Sequence, residues 1–271
     1  MVEQFEGTAG SEIAEQWTTA GVRDCWLGGS NHTAAEHDLA DRIPVGTPQL
    51  PYMVRVYRAL LGRVVRYLIG VGVQQFIDLG SGLPTQGNVH EIAQATDTGC
   101  RVIYVDNNPQ VVVRSQELLT GNDRAVMINA DLRQPEQVLS AAAQTGLLDL
   151  SKPLAILLID ILHHIPEAEN PAGFIEAYIN ALPRGSYMAV AHTDDDEVNL
   201  ETGFAMFRKL YRRLVPPLSF RNALQLTDLL KELDIIEPGI VPIPLWHPEP
   251  EDDLGSVPER FPARCGVGRK L

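Results

Sequence analysis

The chain has 271 residues, 45% of them hydrophobic, enough for one large α/β domain with additions, and a formal net charge of −13. Its 22 basic residues are scattered among 35 acidic ones, so the basic patch that would hold DNA or RNA is missing and nucleic acid is excluded as a partner. Three dispersed cysteines, Cys25, Cys100 and Cys265, suggest neither a disulfide scaffold nor a paired zinc motif; with no membrane span and no signal peptide at MVEQFEGTAGSE, the expectation is a reduced, soluble, cytoplasmic protein.

In chain order, the pattern predicts a helix near residues 11–20, the loop CWLGGSNHT, and a short helix over 34–42. An amphipathic helix follows over 51–69, with Tyr52, Val56, Leu60, Val64 and Leu68 at helical spacing and Pro51 in the first turn, expected to pack on a sheet edge. Residues 1–70 thus form an N-terminal helical cap and 71–271 the main domain, the two making one structural unit. Strands at 76–79, 102–105, 125–128, 154–159 and 187–191 alternate with helices, which predicts a parallel, doubly wound sheet. After His192 come the acidic loop TDDDEVN, a helix over 200–214, a break at Pro216 and Pro217, and a helix over 223–233. Two last strands are expected at 235–241 and near the carboxyl end, with the proline-rich segment 242–253 looping between them.

The richest stretch is QFIDLGSGLPTQGNVHEIA, residues 75–93. Phe76, Ile77 and Leu79 suit a strand buried on both faces, and Gly80 and Gly82 remove the Cβ atoms that would keep a ligand off the backbone. The second strand, RVIYVDNNP, ends in Asp106, about where such folds set a carboxylate against ribose hydroxyls. A dinucleotide fingerprint asks for a third glycine where this chain has Thr85, which ranks nicotinamide chemistry last. S-adenosylmethionine (SAM) has no pyrophosphate and needs only backbone approach and a ribose acid, so this set suits it.

The motifs DCWLGGSNHT, QFIDLGSGLPTQGNVHE, VIYVDNNP, ADLRQP, LHHI and RGSYM, in this order, resemble those of the SAM-dependent methyltransferase-like family abundant in actinobacteria, over roughly Val22 to the final GVGRKL. The resemblance implies an α/β class I methyltransferase (Rossmann-like) fold: a seven-stranded, mostly parallel sheet with an antiparallel last strand, helices on both faces and the helical cap. It also implies SAM as cofactor and leaves the methyl acceptor undefined. The chain departs from the family's pattern after the double glycine, where Ser30, Asn31, His32 and Thr33 replace Lys-Asp-Asn-aromatic, so the acceptor differs or catalysis has been lost.

The residues take roles accordingly. Gly80, Ser81 and Gly82 approach the methionine part, and Asp78 fixes the turn or meets the amino group. Asp106 accepts from the ribose hydroxyls and Asn107 meets the adenine edge; alone, Asp106 also reads as a helix cap before Pro109. Asp131 and Leu132 hold adenine, or Asp131 caps the next helix. Asp160 meets the methionine end or the acceptor. His163 or His164 is the candidate general base for a protonated acceptor. No metal is expected, although His163, His164, His192 and the acids at 194–196 leave one open. Gly28 and Gly29 close on the cofactor or simply end a helix. Arg23, Asn31, His32 and Trp246 line the acceptor pocket, unless the tryptophan plugs the core. Two functions compete: methyl transfer to an O, N or C nucleophile of a small molecule, and non-catalytic SAM binding as a regulatory or partner subunit. A sheet edge or the long helix leaves a homodimer open.

Overall fold

The computed structural model describes residues 17–46, 48–194 and 218–271. Strands β1 (Gln75–Leu79), β2 (Arg101–Asp106), β3 (Ala125–Asn129), β4 (Ala155–Ile159), β5 (Tyr187–Thr193), β6 (Asp234–Ile235), β7 (Val241–Pro242) and β8 (Ala263–Arg269) form one sheet. Its order is β3-β2-β1-β4-β5-β8-β6, with β7 also on β8. Strands β1 to β5 are parallel and β8 runs antiparallel to β5, β6 and β7. The order reverses between β1 and β4, and the crevice beyond their carboxyl ends is where such sheets bind ligands.

Period-two alternation sorts the strands onto two cores. Phe76, Val102, Tyr104, Ala155, Leu157 and Ala189 face one side with helix α3 (Leu50–Gly70), α4 (Val89–Thr96) and part of α5 (Pro109–Leu118). Ile77, Leu79, Ile103, Ile156, Leu158 and Met188 face the other with α6 (Pro135–Gln144), α7 (Pro171–Ala181) and α8 (Ala223–Leu229). All five residues of β1 are buried, as expected for a strand covered on both faces. The long α3 packs on the face of the sheet rather than its edge, because Leu60, Val64 and Leu68 are fully buried against β1, β2 and β5 residues.

Several elements differ from expectation. Helix α1 (Thr19–Trp26) starts after Thr18, which caps it by accepting from Gly21 N at 3.0 Å, and runs through Cys25 and Trp26, placed in a loop from sequence. Helix α2 (Ala34–Gly46) continues past residue 42 and carries Pro44 inside it. The helix expected over 223–233 ends at Leu229. The strand expected over 235–241 is two short strands on one edge of β8: Ile235 pairs with Gly268 and Val241 with Cys265, so the ladder slips by three residues around Pro238 and Gly239. The seven sheet positions therefore hold eight strands. The proline-rich loop is anchored rather than free: Arg63 of α3 donates to the carbonyls of Trp246 at 2.9 Å and Ile243 at 2.8 Å and pairs with Asp252 at 2.6 Å. The helix expected over 200–214 and most of that over 11–20 lie outside the described residues.

Candidate cofactor site

The turn after β1 docks on the end of β2. Gly80 and Ser81 both donate to the Val105 carbonyl, at 2.8 and 3.2 Å, and Gly82 N donates to Asp106 Oδ2 at 3.0 Å. Asp106 Oδ1 accepts from Asn108 N at 2.9 Å. Gly80 has φ of 67° and a Cβ there would sit 2.3 Å from the Ile161 side chain, so only glycine serves. Helix α4 starts at Val89, seven residues past Gly82, and its first turn is closed by a capping box of Asn88 and Glu91. No open helix tip is left for a pyrophosphate.

Two cavities, of about 190 and 170 Å3, share Gly80, Asp106 and His164. The first runs along Asp78, Ser81, Gly82 and Asp160 and is roofed by Thr18, Ala20 and Arg23 from the α1 region and by Val54, Tyr57, Arg58 and Leu61 of α3. The second runs along Asn107, Asp131, Leu132 and Arg133. Five carboxylates, Asp24, Asp78, Asp106, Asp131 and Asp160, face three guanidiniums, Arg23, Arg58 and Arg133. The paired lining is net acidic and favours a cationic ligand over a pyrophosphate.

Burial pushes the Asp78 carboxyl up, against the pull of Arg58 and with the help of Asp106, to about 7. Burial also raises Asp106, although the backbone N–H groups of Asn108, Gly82 and Asn107 pull it back. Asp131 is held low by Arg133, which donates from Nε to both of its oxygens at 2.9 and 3.0 Å. Asp131 also accepts from Arg133 N at 2.9 Å, so it closes a local turn rather than capping α6, where Gln134 stands at the cap. Asp160 follows β4 with φ of 59°, a strained backbone for a non-glycine residue, and its carboxylate is ion-paired with Arg23 across the cavity.

Of the two adjacent histidines, His164 lines both cavities, and burial keeps its pKa below the usual imidazole value despite Asp160. His163 turns inward and lines neither cavity; its Nδ1 lies 3.4 Å from Asp160 Oδ1, beyond a good hydrogen bond, and burial holds it neutral. His192 is fully buried and Asp194 is ion-paired with Arg264, so the described members of that group do not assemble a metal site. Gly28, Gly29, Asn31 and His32 lie outside both cavities: Gly28 turns the chain after α1 with φ of 76°, Gly29 N donates to the Asp24 carbonyl, and Asn31 N and His32 Nδ1 both reach Asp24 Oδ2. Trp246 is fully buried against Tyr67, so it belongs to the core and not to an acceptor pocket.

A family model described as S-adenosyl methyltransferase matches residues 8–271. The chain belongs to the S-adenosyl methyltransferase family. Its cofactor is SAM, and the class I α/β fold is shared by relatives of known structure. A protein of Thermobifida fusca is 32% identical, with 96% of this chain and 97% of that one covered and a TM-score of 0.83. A duf574 family protein of Streptomyces avermitilis is 30% identical, over 95% and 98% of the two chains, with a TM-score of 0.85. Human N-acetylserotonin methyltransferase in complex with SAM shares the fold at 13% identity, over 99% and 61% of the chains, with a TM-score of 0.50. No curated protein matches the chain.

Within this family member, sequence reasoning missed Thr18, Tyr57, Arg58 and Asp24 at the cavity. Val54, Tyr57, Arg58 and Leu61 are one stripe of α3 at helical spacing, and a charge inside an otherwise apolar stripe was the available signal.

Proposed function

We propose that the protein transfers the methyl group of SAM to an oxygen, nitrogen or carbon nucleophile of a small molecule, with an acceptor of secondary metabolism as the narrower form of this reading. The observation that carries it is the junction of the two cavities at Gly80, Asp106 and His164, one arm under the glycine turn and the other beyond Asp106. A carboxylate has about four lone-pair sites. Asp106 accepts from Gly82 and Asn108, with the Asn107 N–H adding its pull, which still leaves lone-pair capacity for the ribose hydroxyls. Gly80, Ser81, Gly82 and Asp78 would hold the methionine part, Asn107 and Leu132 the adenine, and Arg23 with Asp160 would close the cap over them. Bound there, SAM supplies an electrophilic methyl carbon on a cationic sulfur. The chain's own contribution is then mostly positioning. His164, kept neutral by burial, is available at Nδ1 or Nε2 to accept a proton from the acceptor.

The test is calorimetric titration with SAM and with S-adenosylhomocysteine, using wild type, Asp106→Ala and Asp106→Asn. Loss of the ribose hydrogen bonds to a charged acceptor should weaken both ligands by about 2–4 kcal/mol, or roughly 30- to 1,000-fold, in Asp106→Ala, with partial recovery in Asp106→Asn. Circular dichroism checks that the turn survives. Saturable binding followed by methylation of a component in small-molecule extracts supports the enzyme; binding without any methylated product, with or without magnesium, favours the non-catalytic subunit.

A further inference from the structure

The cap holds a second cluster of chemistry that the methyl-transfer reading does not use. Cys25 stands in the last turn of α1, His32 in the link, and His37 in the first turns of α2. Cys25 Sγ lies 3.2 Å from His37 Nδ1, and His37 Nδ1 lies 3.3 Å from His32 Nε2. The three atoms all fall within 4.8 Å of one another. As a hydrogen-bond network this is frustrated, because one ring nitrogen has a single in-plane proton or lone pair and cannot satisfy two partners. A cation at the centre satisfies all three.

We propose that Cys25, His32 and His37 bind a zinc-like divalent transition-metal ion, with the fourth position open to water. Tetrahedral zinc with bonds of about 2.0–2.3 Å separates neighbouring ligand atoms by about 3.3–3.6 Å, close to the two short separations here. One thiolate and two imidazoles select zinc, cobalt or nickel over magnesium or calcium. Both imidazoles have a carboxylate at the far nitrogen: His32 Nδ1 is 2.9 Å from Asp24 Oδ2, and His37 Nε2 is 3.6 Å from Asp41 Oδ2. The first contact puts the proton on His32 Nδ1 and turns the Nε2 lone pair into the cluster, the orienting arrangement that metal-bound histidines use. Asp24 is itself buried and fixed by Asn31 N at 2.8 Å. The carboxylates of Asp24 and Asp41 beside the two imidazoles attract a cation. An ion there would tie α1, whose Ala20 and Arg23 roof the first cavity, to α2.

The site stands independently of the methyl-transfer reading, and its test needs no activity. Tag-free full-length protein is stripped with chelator, then titrated with zinc against a chromophoric chelator and, separately, with cobalt(II). The expected result is one ion per chain and a thiolate-to-cobalt charge-transfer band that Cys25→Ser abolishes. His37→Ala, at an exposed ring whose loss leaves the fold intact, should weaken zinc by about tenfold or more, and zinc should raise the Tm of wild type but not of Cys25→Ser. No cobalt band in wild type, or equal zinc uptake by wild type and both variants, overturns the proposal and leaves a hydrogen-bonded cluster.

Discussion

Asp78 is the residue at which electrostatics and ligand chemistry meet. Its carboxyl titrates near 7 because burial outweighs the pull of Arg58. A bound α-ammonium would favour the carboxylate and push that pKa down again. If Asp78 meets the amino group of SAM, binding must expel a proton wherever the free protein holds Asp78 protonated. The sign is therefore fixed: affinity rises with pH below about 7, by at most about tenfold per pH unit, and levels off above it. Calorimetry in buffers of different ionisation heat should show most of one proton released per SAM at pH 6, a release that falls as pH rises through about 7. Asp78→Asn should remove the release. Equal heats in all buffers at pH 6 would put the amino group elsewhere.

Among the elements, the cap shows how much of this chain could be read beforehand. The βα unit around Gly80 was legible because a strand buried on both faces, a glycine turn and a distant acid leave a local pattern. The cap depends on long-range polar contacts, which leave none. Glu36 is the clearest case: it looks like a surface acid in AAEHD, yet it is fully buried and joins three helices. It accepts from Thr18 N and Oγ1 before α1, at 2.9 and 2.6 Å, from Thr33 N at 2.7 Å, and from Arg114 of α5 at 2.9 Å. Burial alone would raise its carboxyl, but Arg114, Thr18 and Thr33 together hold it at about 2. The inward turn of His163 and the position of Gly28 and Gly29 outside both cavities were equally hidden. So was the Cys25, His32 and His37 cluster, whose spacing matches no common zinc pattern. Glu36→Gln keeps the shape and loses the charge, and should cost about 2–4 kcal/mol in urea unfolding at pH 7. Because the folded pKa is depressed, the wild-type advantage is complete above the ordinary carboxylate value near 4 and fades as pH falls through about 2. An advantage intact at pH 7 and about half lost by pH 3 would be consistent with this; one still unchanged at pH 3, or already gone by pH 5, would not.

At the scale of the whole molecule, topology and charge act on the same place. The reversal of strand order between β1 and β4 opens the crevice, α3 covers it from one face of the sheet, and α1 closes over its mouth. The net charge of −13 surrounds a site whose lining carries five carboxylates against three guanidiniums. SAM bears one positive charge more than S-adenosylhomocysteine, at the sulfur. The field of the protein therefore attracts the substrate form of the cofactor more than the product form, and salt must screen that difference. Raising sodium chloride from about 0.02 to about 0.5 M, which shortens the screening length from about 20 to about 4 Å, should weaken SAM several-fold and S-adenosylhomocysteine by less than about twofold. The ratio of the two dissociation constants is the quantity to measure, since it cancels any effect of salt on the fold. A ratio that stays constant would mean that local contacts at Asp78, Asp106 and Asp160, and not the acidic field, distinguish the two forms.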